Sequence, residues 1–253
     1  MSEAHAHSPL HQFEIQPIVS IPAFGTDLAF TNSSLWMMVA VAVSFIFFGI
    51  ATSSRALVPG RAQMMAENLY GFIAGMIREN IGHGGMVYFP FVFSLFMTVF
   101  LGNALGLLPY SFTYTSHIIV TAAMALFVFF MVIVLGLIRH GLHFFNLFLP
   151  PGVPLWLAPV IIPIEVISFL VRPVTLSVRL FANMMAGHIM LKVFAGLAVT
   201  AAAMGGAGMA IGLLPTLFNA VLIGFEGLIA FLQAYVFTIL TCIYLKDTLE
   251  LEH

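Results

Sequence analysis

Residues 117–138 read HIIVTAAMALFVFFMVIVLGLI, a run without a formal charge. A helix needs about 20 mainly apolar residues to cross roughly 30 Å of hydrocarbon, so this segment predicts a membrane-spanning helix. The surrounding charge-free run is longer, because 59 residues lie between Glu79 and Arg139. That length fits two helices, which we predict at 88–108 and 117–138, with a break near residues 107–111.

Three more helices are predicted, and the last two of them carry charged residues within otherwise apolar sequence. Residues 35–51 form another apolar run, and two long helices are predicted at 155–200 and 208–246, joined by a stretch of alanine and glycine. A helix of about 45 residues is near 68 Å long, more than twice the hydrocarbon thickness. We therefore expect both helices to be strongly tilted or broken, with Pro163 and Pro173 as candidate kinks.

Composition excludes a soluble protein. Of the 253 residues, 61% are hydrophobic and 7% are charged, and the mean hydropathy is +1.09, whereas about a quarter of the residues in a soluble domain are charged. A net charge of −2 offers no basic surface for nucleic acid. The single cysteine, Cys242, excludes a disulfide framework and a cysteine-based metal site. We expect no cofactor and no metal.

Two segments differ from the predicted spans. Residues 62–80 mix charged and apolar side chains, which is typical of a helix lying at the membrane surface. Residues 1–27 are polar and lack the features of a cleavable signal peptide. The sequence predicts an all-α membrane protein, a single integral membrane domain over residues 1–253, with about five membrane passes plus an interfacial amphipathic helix.

Basic residues in short loops predict the orientation, because they favour the cytoplasmic side. Arg55 and Arg61 follow the first predicted span, Arg139 follows the third, and Lys246 follows the last. We expect the N-terminus outside and the C-terminus in the cytoplasm. The absence of a targeting segment favours a bacterial inner membrane.

Charged residues are concentrated in the last two predicted helices. A charge in mid-membrane costs roughly 2.5–3.5 kcal/mol on insertion scales and usually faces protein or water. Arg179 has no carboxylate three or four residues away and does not lose its proton. Two interpretations remain open. Arg179 is either in a structural ion pair, with Glu226 as the obvious partner, or a fixed charge that keeps another carboxylate ionised.

Helical spacing separates the polar side chains into faces. Asn183 shares a face with Arg179, whereas His188 lies about 180° around the helix. Glu226 and Gln233 share a face of the last helix. Glu226 and His188 are groups that relay protons in membranes, but an interhelical hydrogen bond is an equally good interpretation of His188 and of Gln233.

Other functional classes are less well supported. The sequence contains no HExxH, GxSxG or GxxxxGK[ST] motif of a protease, hydrolase or NTP site. A stand-alone transporter often has matched halves, whereas the charges here crowd one half. Glycines along the last two helices predict close helix packing, both within this chain and against another helix.

Four segments together resemble the subunit a family of the rotary, F-type ATP synthase membrane sector. Residues 177–188, SVRLFANMMAGH, are similar to its penultimate helix, and residues 225–241, FEGLIAFLQAYVFTILT, to its last helix. Residues 163–173 and 101–109 match further segments in order. The resemblance implies two tilted helices packed against a ring of c subunits.

The resemblance also implies roles for individual residues. Arg179 corresponds to the arginine that meets each ring carboxylate in turn, and Asn183 and Gln233 correspond to residues that line the path to the ring. Glu165 corresponds to an acidic residue on the cytoplasmic exit side. The predicted proton-translocation residues are Arg179, Glu226, His188, Asn183, Gln233 and Glu165.

His188 and Glu226 correspond to a paired site on the side where protons enter. In some members the two residue types occupy each other's helices, so which of them is the principal proton acceptor stays open. The resemblance further implies a stator that catalyses no covalent reaction and moves H⁺ or, less often, Na⁺. Its implied partners are the c-ring, the peripheral stalk b subunits, the remaining ATP synthase subunits and the lipid bilayer.

Overall fold

The computed structural model describes residues 13–23, 26–53, 58–108, 111–148 and 156–249. The elements in chain order are β1 (Pro17–Ala23), β2 (Thr26–Thr31), α1 (Asn32–Ser53), α2 (Arg61–Asn80), α3 (Phe89–Gly106), α4 (Ile118–His140), α5 (Ala158–Ala203) and α6 (Ala207–Leu249), with 3-10 turns at His83–Tyr88, Tyr114–Ser116 and Gly141–Phe148. Residues 1–12 of the predicted polar segment and Arg55, used for the orientation, lie outside the described residues.

In the part of the chain that the structure describes, five helical segments are long and apolar enough to cross a membrane. They are α1, His83–Gly106, α4, α5 and the Ala210–Leu249 part of α6. Large apolar side chains such as Phe45 and Phe127 are exposed along them, as expected where lipid replaces water. The prediction of an all-α membrane protein with about five passes is confirmed. The helix α2 is not among the five candidate spans, and its position at the interface stays a prediction.

The two C-terminal helices are continuous and long. α5 has 46 residues and includes Pro163 and Pro173, and α6 has 43 residues and includes Pro215. Their connection is short, and it turns on Gly205 and Gly206, whose φ angles are 69° and 44°. Side chains other than that of glycine are strained at such angles, which explains the glycine pair between these two helices.

An N-terminal hairpin was not predicted from the sequence. Strands β1 and β2 pair antiparallel, with Ser20 opposite Ala29 and Ala23 opposite Thr26. The first helical residue, Asn32, then holds the segment before β1. Its side-chain Oδ1 accepts from the Gln16 backbone N–H at 3.2 Å, and its Nδ2 donates to the Glu14 carbonyl at 3.1 Å. One asparagine thereby attaches the N-terminal segment to α1.

The chain packs as two compact units. The first consists of the described residues of Met1–Ile46 with Thr98–His117 and Leu180–Ala234, and its buried residues include Met184, Ala234 and the polar Asn103. The second consists of the described residues of Phe47–Met97, Ile118–Arg179 and Tyr235–His253. Its largest fully buried side chains are Phe96, Phe237, Ile73, Ile77, Leu245, Val92, Val128 and Val132.

Candidate functional site

In the first unit, His188 on α5 faces Glu226 on α6. The His188 Nδ1 lies 3.7 Å from the Glu226 Oε1, within ion-pair reach but too long for a hydrogen bond. Both side chains are buried, and neither Glu226 carboxylate oxygen has a hydrogen-bond partner among the described residues. A buried carboxyl without hydrogen bonds is costly, which marks this pair as a candidate functional site.

Gly187 makes this approach possible. A Cβ built on Gly187 would lie 2.6 Å from the Glu226 Oε1, closer than real Cβ atoms approach other atoms, and 3.0 Å from the Glu226 Cδ. The absence of a side chain at 187 therefore lets the carboxylate lie against the α5 backbone, beside His188. The sequence indicated close packing at Gly187, and the structure shows which group occupies the space.

A third residue, Thr113, completes the cluster. Its Oγ1 lies 3.0 Å from the His188 Nε2, in a buried hydrogen bond between the segment after α3 and α5. The same Oγ1 donates to the Gly106 carbonyl at 3.3 Å. The two ring nitrogens of His188 thus face different groups, Thr113 and Glu226. Sequence reasoning did not identify Thr113, because nothing in the helical spacing connects it with a residue 75 positions later.

A cavity of about 1060 Å³ in the first unit reaches this cluster. The polar residues in its lining include Glu14, Gln16, Ser111, Thr113, His188, Lys192 and Asn219. The Phe13 ring packs edge-on to His188, with 6.2 Å between ring centroids. The buried pair is therefore reached by a cavity whose mainly apolar wall carries several polar side chains.

Arg179 lies on an exposed surface of α5 in the second unit. It forms no ion pair with any carboxylate in the part of the chain that the structure describes. Glu226, the partner suggested by the structural interpretation, faces His188 instead. The Arg179 side chain is exposed on this unit.

The half-buried Asn183 lies one helical turn after Arg179, in the first unit. Gln233, on α6 in that unit, is also half-buried. The Asn103 Nδ2 donates to the Ala230 carbonyl at 3.3 Å, which joins α3 to the turn of α6 before Gln233. Asn183 and Gln233 therefore both lie at partly accessible positions of the two long helices.

Glu165 is half-buried on the first turns of α5, in the second unit. A different acidic residue pairs with an arginine there, because the Arg172 Nη1 donates to the Asp247 Oδ2 at 2.9 Å. Of the six predicted site residues, the structure brings only His188 and Glu226 into direct contact. Within the described ranges, no three His, Cys, Asp or Glu side chains converge to hold a metal ion.

Comparison with known proteins identifies the family. Residues 34–246 match the ATP synthase A chain family. The chain is 55% identical over 248 residues to ATP synthase subunit a of Rhodospirillum rubrum, covering 97% of this chain and 99% of that protein. It is 54% identical over 248 residues to ATP synthase subunit a of Agrobacterium fabrum, covering 98% and 100% of the two chains. The chain therefore belongs to the ATP synthase A chain family.

Proposed function

We propose that this chain is the proton-translocating stator subunit a of an F-type ATP synthase. It provides two aqueous half-channels that load and unload the carboxylates of a c-ring, so that proton flow drives rotation and ATP synthesis. The chain itself catalyses no covalent reaction, and ATP chemistry belongs to other subunits. Family membership supports the assignment to the complex, and the site geometry supports the mechanism.

The exposed Arg179 is the observation that carries this proposal. It lies among apolar side chains that are also exposed, including Val174 and Val178, on a helix long enough to span the membrane. A permanent cation on such a surface is costly unless a partner compensates it. A carboxylate of the c-ring is a partner of the right charge. Arg179 favours its ionised form and, since guanidinium keeps its proton, blocks direct proton passage.

The cavity and the His188–Glu226 pair form the half-channel through which protons enter. A proton that enters the cavity reaches His188 and Glu226, and from there Asn183 and Gln233 extend the path towards the ring. On the exit side, Glu165 accepts protons released to the cytoplasm. The orientation that this requires has the N-terminus outside and the C-terminus in the cytoplasm of a bacterial inner membrane.

Replacement of Arg179 tests the proposal in the assembled complex. We expect Arg179→Ala to leave the amount of this subunit in the purified complex unchanged and to abolish ATP-driven proton pumping, measured as dye quenching in inverted vesicles. Val178→Ala, on the neighbouring exposed position, is the matched control and should pump like the wild type. If Arg179→Ala pumps normally, or if it is absent from the complex while Arg179→Lys assembles and pumps, the mechanism assigned to Arg179 is wrong.

A further inference from the structure

We infer that Thr113 is a positioning residue for proton transfer, which holds the His188 imidazole so that its Nδ1 alone exchanges the proton with Glu226. This inference rests on the proposed function of the His188–Glu226 pair. It assigns a role to the segment between α3 and α4, from which no site residue was predicted.

The hydrogen bonds of Thr113 determine which ring nitrogen of His188 exchanges the proton with Glu226. A threonine hydroxyl has one proton to donate and lone pairs that accept. Because the Thr113 Oγ1 donates to the Gly106 carbonyl at 3.3 Å, it is left to accept from the His188 Nε2–H at 3.0 Å. The neutral ring then carries its lone pair on Nδ1, which is the nitrogen 3.7 Å from the Glu226 Oε1.

One proton moves in the resulting step, relayed by one water molecule from the adjoining cavity, because the 3.7 Å between Nδ1 and Oε1 is beyond direct hydrogen-bond reach. In the neutral pair the Glu226 carboxyl holds the proton, and in the charged pair the proton is on Nδ1, leaving a carboxylate and an imidazolium. The Nε2–H bond to Thr113 is present in both states, so the ring does not have to flip between them. The charged groups that face His188 are Glu226 from α6 and Lys192 from its own helix.

Thr113 is held rigidly by α3. Cβ atoms on Gly102 and Gly106 would overlap the Tyr114 and Thr113 side chains, respectively, so these two glycines seat the segment against the helix. The Tyr114 hydroxyl donates to the Thr98 carbonyl at 2.8 Å, and burial raises the pKa of Tyr114 well above its usual value, which keeps that donor protonated. The Ser116 hydroxyl donates to the Thr113 carbonyl at 2.6 Å.

The adjacent Thr115 provides a matched control. It is as deeply buried as Thr113 and lies in the 3-10 turn that Thr113 immediately precedes, but its hydroxyl has no hydrogen-bond partner among the described residues. Valine replaces threonine with nearly the same shape and removes only the hydroxyl function. Thr113→Val and Thr115→Val therefore differ in that only the first removes hydrogen bonds, those of the Thr113 hydroxyl to His188 and to the Gly106 carbonyl.

The test uses the assembled ATP synthase in inverted vesicles. We expect Thr113→Val to lower ATP-driven proton pumping about tenfold, because it leaves the buried Nε2–H without an acceptor. The pH profile of pumping should move to lower pH, since a charge-assisted hydrogen bond stabilises imidazolium more than neutral imidazole. Thr113→Ser, which retains the hydroxyl, should stay within about twofold of the wild type and keep its pH profile.

Three outcomes would contradict the role assigned to Thr113 or to the pair that it serves. Equal impairment by Thr113→Val and Thr115→Val would show that the turn acts by packing alone, and the inference would be overturned. An unchanged rate and pH profile in Thr113→Val would also overturn it. If His188→Ala itself pumps normally, the proposed function of the pair fails as well, and this separates the two failures.

Discussion

A single missing side chain determines how closely the two long helices bring their titratable groups together. At Gly187 there is no space for a methyl group, because the Glu226 carboxyl occupies it, whereas at Gly196 a Cβ would meet no atom within 4 Å. Both glycines lie on α5 and both looked alike in the sequence, as small residues that favour close packing. Only the three-dimensional arrangement separates the glycine that seats a carboxyl from the glycine on an open face.

We therefore expect Gly187→Ala to push the Glu226 carboxyl away from α5 and to lower ATP-driven proton pumping by about tenfold or more, since small displacements of reacting groups have large effects on rate. Gly196→Ala should pump like the wild type. The measurement is the initial rate of acidification of inverted vesicles, normalised to the amount of complex. Equal rates in the two variants would contradict the close contact between Gly187 and Glu226.

Whether the role of a residue could be predicted from the sequence depends on whether its chemistry is evident before its contacts are known. Arg179 stood out in the sequence because a charge in an apolar helix requires an explanation, and resemblance supplied the pairing of His188 with Glu226. Thr113 gave no such signal, since a threonine between two spans is common and its contact is created only when the segment folds onto α3. Polar residues whose role depends on a neutral hydrogen bond are harder to find from sequence than charges.

At the scale of elements, one ion pair joins α5 to the C-terminal turns of α6 in the second unit. The Arg172 guanidinium lies 2.9 Å from the Asp247 carboxylate and also packs against two aromatic rings, 4.9 Å from the Tyr244 centroid and 5.5 Å from the Phe169 centroid. A planar guanidinium can make both interactions at once. Arg172 on α5 therefore binds both a carboxylate and an aromatic ring of α6.

A double-mutant cycle measures the free energy that the contact between Arg172 and Asp247 contributes to stability. We expect Arg172→Gln and Asp247→Asn each to lower the thermal stability of the purified complex, and the double variant to be less destabilised than the sum by about 0.5–1 kcal/mol. Arg172→Lys, which keeps the charge but not the planar group, should recover part of the stability. Strict additivity of the two single effects would show that the contact contributes nothing.

Helices were more predictable than the hairpin for a physical reason. A membrane span must be a long, mainly apolar run, so composition alone located the five passes. Strands β1 and β2 are short, and the hydrogen bonds of Asn32 that hold the segment before them depend on contacts with α1. A short two-stranded hairpin leaves a weak sequence pattern, and we read the residues before Asp27 only as a polar segment.

For the whole molecule, the main question is whether this chain conducts protons alone. Under the proposed function, Arg179, which lacks a carboxylate partner among the described residues, finds that partner on the c-ring, and conduction therefore needs the ring. We expect liposomes that contain the purified chain alone to show no proton flux above empty liposomes, and liposomes that also contain the c-ring to show a ring-dependent flux. Arg179→Ala should lose coupled transport in the presence of the ring.

This flux measurement separates the stator from a self-contained channel. Equal flux with and without the ring would mean that the chain conducts by itself, and the stator mechanism would have to be abandoned. Val178→Ala again serves as the control, because it changes the adjacent exposed residue without altering charge. The dye signal should be calibrated with an uncoupler in each preparation.

The tight turn between α5 and α6 has a consequence for how the protein enters the membrane. Next to this turn, Gly208 and Gly212 lie against Ala201 and Ala198, so the two helices meet at short range immediately after they leave the translocon. His188 and Glu226 lie at similar distances from the turn, one on each arm. The two arms can insert as one hairpin in which the acid and the base cross the hydrocarbon opposite each other. Their shared proton then allows both groups to be uncharged during insertion, which lowers the cost of placing them in lipid.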